Sequence, residues 1–445
     1  MENTLKLINE RKFGDARKAL EKKNVVDIAT LLEEVDKESV VKIFRVLPKD
    51  IAADLFSYLD SDQRLFIIKS ITDKEISSII DELFMDDAID FLEELPANVV
   101  KKVLRNTDED TRKLINQFLN YPEDCAGSIM TIEYADLKKH MTVSEAIDHI
   151  KKTGIDKETI NTCYVLGDNR ELLGIVSLRK LILSNPEVII ENLMKTDFIY
   201  VNTLDDQENV ANTFKKYDLI TIPVTDNEKK LVGIITIDDI VDIIDQENTE
   251  DFQKMAAMEP NEEPYLKTGV WTLAKHRILW LLVLMISATF TGNIIKKFED
   301  ALSSVVILAA FIPMLMDTGG NAGSQSSTLI IRGLALGDIK LSDWLKVMFK
   351  ELRVSFITGG VLAIVNFLRI YFLEKTNLMI SLTVCISLFC TVVLAKVIGG
   401  LLPIIAKRFK LDPAIMASPL ITTIVDAVAL TLYFSLSVRL LNIPI

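Results

Sequence analysis

PLITTIVDAVAL, residues 419–430, decides how this chain is read. It sits inside an apolar run over residues 413–441 with a single carboxylate, Asp426, at its middle. Roughly 20 apolar residues cross a bilayer, so the run reads as a membrane span. A charge at the centre of a span costs at least ~2.5–3.5 kcal/mol, and such groups face a cavity, a partner or an ion path. The plain alternative is a helix–helix hydrogen bond. The rest of the sequence bears on which of these Asp426 serves.

Four more apolar runs precede it, at about 277–296, 302–331, 352–373 and 378–406. With the last, at 413–440, they predict five spans. The second is long and interrupted by DTGGNAGSQ, residues 317–325. Polar backbone at membrane depth is tolerated only where protein buries it or it lines a water-filled cavity. Gly319 and Gly323 also form a small-xxx-small pair that lets helices approach closely. Packing explains the glycines, but it explains Asn321, Ser324 and Gln325 less well. Basic residues set orientation. One side holds Lys275, Arg277, Arg332, Lys340, Lys346, Lys350, Arg353, Lys407, Arg408 and Lys410, and the other only Lys296, Lys297, Lys375 and Arg439. The first side is expected in the cytoplasm and the C-terminus outside.

The 445 residues divide by charge. Residues 1–271 carry 34 Lys+Arg against 54 Asp+Glu, and the remainder carries 16 against 9. So acidic a part excludes nucleic acid, which needs basic faces, and suits a cation as partner. Four scattered cysteines make no disulfide framework, and the three histidines do not pair with them at zinc spacing. The first twenty residues are charged throughout and lack the apolar core of a signal peptide, so the acidic part is expected to remain cytoplasmic. No Walker lysine pattern is present, and a transporter rather than an enzyme is expected.

Residues 1–126 predict short amphipathic helices in a superhelical domain, with Val, Ile, Leu and Phe at three- and four-residue spacing. Two Leu-Pro pairs mark helix junctions, where proline suits the first turn of the next helix. Asp86 and Asp90 stand one turn apart, and a merely solvated face also accounts for them. In residues 127–245 short β runs alternate with helices, and ELLGIVSLRKLI (171–182) repeats as KLVGIITIDDIV (230–241). This layout resembles a tandem CBS-domain pair, a sensor module that often binds adenosine nucleotides. That family's ribose-contacting pattern is complete at Gly233, Thr236 and Asp239, while the first copy has Gly174 and Ser177 followed by Lys180 in place of the acid. Next, DDIVDIIDQENTEDF (238–252) carries seven carboxylates beside one apolar stripe. Like charges on one helix repel, and a cation or basic neighbour would relieve them; a solvated linker helix is the alternative.

PMLMDTGGNAGSQSSTLIIRGLALGD and the later LDPAIMASPLITTIVDAVAL, with this order of parts, resemble the MgtE family of magnesium transporters. The resemblance implies a multidomain membrane protein. It would have an α-helical superhelical N domain (1–126), an α/β CBS pair (127–245), an amphipathic connecting helix (246–272) and a five-span helical pore domain (273–445). It implies a homodimer in the cell membrane, with spans two and five lining a pore that cytosolic magnesium closes. Carried over residue by residue, Asp426, Asn321 (with Gly320) and Asp412 fall on the pore and its inner mouth. Asp239, Asp242, Glu247, Glu250 and Asp251 fall on the connecting helix. Asp206, Glu208 and Asp218 fall on the second CBS unit, Asp54, Asp86 and Asp90 on the N domain, and Gly127 contributes a carbonyl. Ser324 stands where the family often has another polar residue. Asp239 is claimed by both the magnesium and the nucleotide readings. Two further readings remain open, a membrane-anchored nucleotide sensor that does not conduct and a transporter of manganese, cobalt or nickel. Oxygen ligands without Cys or His favour the harder magnesium ion.

Overall fold

Short helices of eight to ten residues make up most of the described positions between Glu2 and Phe118, and capping side chains start several of them. Asn24, Asp36, Asp60 and Asp108 each accept a backbone N–H at a helix start, and Thr72 forms a capping box with Glu75. Such caps contribute about 1 kcal/mol each. The two Leu-Pro prolines, Pro48 and Pro96, lie one position earlier than expected, at the N-caps of Lys49–Ser57 and Ala97–Asn106. The computed structural model describes residues 2–93, 95–261, 265–416 and 418–443. Ala417, inside the fifth expected span, and residues 262–264 of the expected connecting segment lie outside the described residues. The chain divides into two compact units, Met1–Ile244 and Asp245–Ile445.

In the first unit most N-domain helices from Val25 onward pack on the second one along. Val25–Leu32 meets Lys49–Ser57, Lys37–Phe44 meets Ser61–Ser70, and Asp73–Ile80 meets Ala97–Asn106. That alternation is the expected superhelix, closed around Leu32, Ile43, Phe56, Ile67, Phe91 and Phe118. The CBS pair follows as two matching three-stranded sheets. In the first, β1 (Tyr134–Lys138) runs parallel to β2 (Thr159–Leu166), and β2 runs antiparallel to β3 (Leu172–Ser177). In the second, β4 (Val201–Asn202), β5 (Thr221–Thr225) and β6 (Leu231–Thr236) repeat the order. The halves are tied by isolated bridges, Thr131 to Ile234 and Glu171 to Lys230, and by the buried Tyr164 hydroxyl donating to Thr221 at 3.0 Å.

The second unit holds five helical segments long and apolar enough to cross a membrane. We denote them spans one to five: Val270–Lys297, Val306–Ala335, Leu341–Leu373, Leu378–Arg408 and Pro413–Leu441. Span three begins eleven residues ahead of its expected start, since Lys346 and Lys350 continue the helix rather than end it. The larger correction concerns span two. GGNAGSQ is unbroken helix within Ile312–Ala335, and the irregular backbone lies before it, as a 3₁₀ segment over Val306–Phe311 ahead of Pro313.

The glycines stay helical because neighbouring helices press on them. A Cβ on Gly319 would lie 2.8 Å from Thr391 of span four and 3.0 Å from Val425 of span five. On Gly323 it would lie 2.8 Å from Ile421 and 3.2 Å from the Ala395 carbonyl. Gly320 sits directly on Thr422, and Gly399 of span four lies against the Gly323 carbonyl. Where lipid removes most of the hydrophobic drive between helices, such close packing holds them together. Overpacking a tight core typically costs about 1–3 kcal/mol. Gly399→Ala is therefore expected to lower the melting temperature of the detergent-solubilised protein. Gly360→Ala, in span three with nothing within 4 Å of the added methyl, should leave it unchanged or raise it. Equal melting temperatures for the two variants would refute the close-packing account.

Candidate ion pathway and acidic clusters

Close packing at Gly319, Gly320 and Gly323 fixes which way the rest of span two points. Asp317, Asn321, Gln325 and Thr328, spaced by three and four residues, share its exposed face. Asn321, Ser324, Gln325, Thr328 and Leu329 line an open depression of about 700 Å³. Asp426 is on span five beside Val425, which packs on Gly319 and Gly323. Its Oδ1 is buried without a hydrogen-bond partner among the described residues, and Asp317 is the carboxylate that acts on it. The helix–helix hydrogen bond offered as the plain alternative is therefore not made by that oxygen.

Asp412 lies at the foot of span five. The cation beside it is Lys254, whose ammonium sits 2.6 Å from Asp412 Oδ2 and 2.5 Å from Glu250 Oε1. Asp412 Oδ1 also accepts the Ala414 N–H at 2.8 Å. Asp251 joins the group. Burial, then Asp412, raises its pKa above the ordinary carboxylate range. Burial alone would lower the Lys254 pKa, but its two carboxylate partners outweigh that and hold it raised. Arg332 of span two reaches Asn248 at 3.3 Å. Sequence reading found the acids here and missed the lysine that joins them.

The soluble unit gathers a second cluster around Asp86 and Asp239. The helix Ile237–Met255 runs unbroken out of β6, so Asp238 and Asp239 occupy its first turn. Thr236 donates to Asp239 Oδ2 at 2.8 Å. Asp86 and Asp90 are one turn apart as expected, yet Asp86 is only 9% exposed while Asp90 faces solvent. Burial pushes Asp86 well above the usual range, with Asp239 and Asp87 adding to it. Burial likewise carries Asp87 and Asp239 to about 6 and Glu158 to about 7, each further raised by neighbouring carboxylates. Arg64 and the Thr236 hydrogen bond partly offset this at Asp87 and Asp239 respectively. Asp54 acts on Asp87 from an exposed position. Sequence reading missed Asp87, Asp238 and Glu158. The first two adjoin residues it chose, whereas Glu158, in the turn before β2, carries no pattern that marks it.

The remaining candidates are dispersed. Asp206 caps Gln207–Tyr217, accepting from Glu208 and Asn209, while Asp218 closes the other end in a left-handed conformation. Twelve residue steps along this helix set them ~18 Å apart at 1.5 Å per residue, so within one chain they share no ion. Glu208 adjoins the cap. Gly127 sits beside it, its N–H donating to the Thr203 carbonyl and its Cα packed on Tyr121. Asp242 is exposed and Glu247 half-buried on the long helix. Gly233 is packed on the Thr131 carbonyl, where a Cβ would lie at 2.6 Å, so this glycine has a structural reason independent of any nucleotide. No group of three or more His, Cys, Asp or Glu side chains is arranged to ligate a metal directly among the described residues.

The fold defines a multi-pass membrane protein with a helical domain and a CBS pair. Residues 312–436 match the divalent cation transporter family, residues 23–124 the MgtE intracellular N domain, and residues 126–185 and 190–246 the CBS domain. The chain is 31% identical to the magnesium transporter MgtE of Bacillus subtilis over 98% of its own length and 96% of that protein's. It is 34% identical to the Thermus thermophilus magnesium transporter MgtE, over 96% and 95%. Among solved structures, the cytosolic domain of the Mg2+ channel MgtE in complex with ATP superposes with a TM-score of 0.51 at 32% identity, covering 55% of this chain and all of that one. The soluble part of a magnesium transporter gives 0.53 at 27% identity, covering 55% and 97%. The chain belongs to the MgtE family of magnesium transporters.

The acid cluster has a consequence for stability. A carboxyl whose pKa is higher folded than unfolded binds its proton more tightly in the folded state. Stability therefore rises as pH falls through the folded value. Lowering pH from 8 to 5.5 should slow hydrogen exchange in Met85–Glu93 and the first turn of Ile237–Met255, after correction for the intrinsic pH dependence. Faster exchange at pH 5.5 would contradict the raised values of Asp86, Asp87, Asp239 and Glu158.

Proposed function

We propose that the chain carries magnesium into the cell down its electrochemical gradient, as a homodimer in the cell membrane with the acidic unit in the cytoplasm. The observation that carries this reading is the exposed polar face of span two, Asp317, Asn321, Gln325 and Thr328, beside the unpartnered Asp426 oxygen. Polar side chains at membrane depth face protein or water rather than lipid. A two-fold axis along this face places two copies of each group around one path. Magnesium gives up water reluctantly, so Asp426 supplies charge and Asn321 accepts hydrogen bonds from the ion's water. The membrane potential adds ~2.3 kcal/mol per charge per 100 mV. The match to a divalent cation transporter family keeps manganese as the competing cargo.

Regulation is proposed to come from the acid clusters. Asp86, Asp87, Asp239 and Glu158 gather negative charge with Arg64 as the counter-charge acting on Asp87. That oxygen-only donor set suits a hard divalent ion, which would offset the repulsion and draw the N domain, CBS pair and long helix together. Glu250, Asp251 and Asp412 form the corresponding group by the membrane spans. Switching a gate from 1:99 to 99:1 takes ~5.5 kcal/mol of differential binding, within reach of several weak sites acting together. Adenine nucleotide is proposed to bind at Gly233, Thr236 and Asp239. The cytosolic domain of a related Mg2+ channel MgtE is solved in complex with ATP, and the Thr236–Asp239 pair is already oriented here.

In proteoliposomes, Asp426→Ala should abolish magnesium uptake or make it unselective; undiminished selective uptake would overturn the transport reading. Replacing Asp239, Asp242, Glu247 and Glu250 together with Ala should leave uptake insensitive to magnesium inside the vesicle. Unaltered inhibition by internal magnesium would sink the gating reading alone.

A further inference from the structure

Lys396 was not singled out by the sequence reading, yet it is the most conspicuous charge in span four. It stands in the interior of Leu378–Arg408 and is only 6% exposed. Among the described residues it makes no hydrogen bond or ion pair. Long basic side chains near a helix end escape by reaching the interface. Here twelve residues separate Lys396 from the nearer end, ~18 Å at 1.5 Å per residue, several times the length of a lysine side chain. The ammonium is confined to protein.

What it faces is a cavity of about 460 Å³ walled by spans two, three and four. Asp317, Asn321 and Gln325 of span two line it, with Thr358 of span three opposite. The only charged residues on its wall among the described residues are Asp317 and Lys396. Asn321 and Gln325 line this cavity and also contribute to the larger depression beside it. The lysine therefore shares a cavity with part of the polar face assigned to the ion path. Intramembrane ionisable groups generally mark a pathway or its counter-charge.

We infer that Lys396 is a built-in cation that sets how tightly the span-two face holds the transported divalent ion. Its charge partly neutralises Asp317 and opposes a second cation at Asn321 and Gln325. Ions are thereby kept from being held too strongly to leave, which conduction requires. Lys396 is a positioning residue for charge and contacts no ion itself. The inference rests on the transport reading.

The test is magnesium uptake by the full-length protein in vesicles, measured against external concentration. Lys396→Met should lower the half-saturating concentration about three- to tenfold, from the loss of one unit charge at the cavity that Asn321 and Gln325 also line, and should lower the maximal rate. Lys396→Arg, which keeps the charge, should behave as the unmodified protein. Asp317→Asn should raise the half-saturating concentration, and the double variant should depart from the sum of the single effects, as coupled groups do. Should Lys396→Met fail to insert, Asp317→Asn alone decides, since an unchanged half-saturation there overturns the proposal. So does a Lys396→Met profile identical to the unmodified protein, or strict additivity. Unmodified vesicles that pass no magnesium refute the transport reading itself, and this inference falls with it.

Discussion

The backbone of span two touches the backbone of span four where the Gly323 carbonyl lies against Gly399. Much of the membrane unit depends on that contact. It leaves no room for a side chain at Gly319, Gly320 or Gly323, so span five also closes in through Ile421, Thr422 and Val425. With one face of span two spent on packing, the opposite face is left to Asp317, Asn321, Gln325 and Thr328. The same contact places Asp426 next to that face. Packing and polarity on one helix are thus two sides of a single constraint.

The soluble unit obeys a different constraint, in which charge is gathered instead of dispersed. Capping aspartates and buried aliphatic residues suffice to build the helical superhelix and the CBS pair. Neither requires that Asp86 be buried near Asp239. Burying carboxylates close together costs stability unless protons or cations compensate. The raised values of Asp87, Asp239 and Glu158 record that cost.

What could be read beforehand was whatever is locally costly or periodic. Asp426 stood out because charge is expensive in lipid, and the CBS units because their motifs recur at a fixed interval. The small-residue pair Gly319 and Gly323 gave the packing face, but the expectation of broken backbone there failed. Close neighbours hold those glycines helical, and the irregularity moves ahead of Pro313. Asp86 and Asp90 share a helix, yet only tertiary packing decides that the first is buried and the second is not. Glu158 acquires its partners far away in sequence, and although Lys254 stands one helical turn from Glu250, only tertiary packing brings it to Asp412. Lys396 escaped for another reason: basic residues were weighed in loops, to orient the spans, and it lies inside one.

Lys254 also bears on how sharply the membrane unit can respond to dissolved ions. It is fastened to the same helix as Glu250 and bridges it to Asp412. A tethered charge competes at an effective concentration fixed by its linkage, of millimolar order or above even for loose tethers. A free ion must exceed that internal competitor before it can occupy the same carboxylates, and dilution of the cell's contents does nothing to weaken the rival. Under the gating proposed above, the chain would thereby carry its own reference standard, against which an outside concentration is weighed.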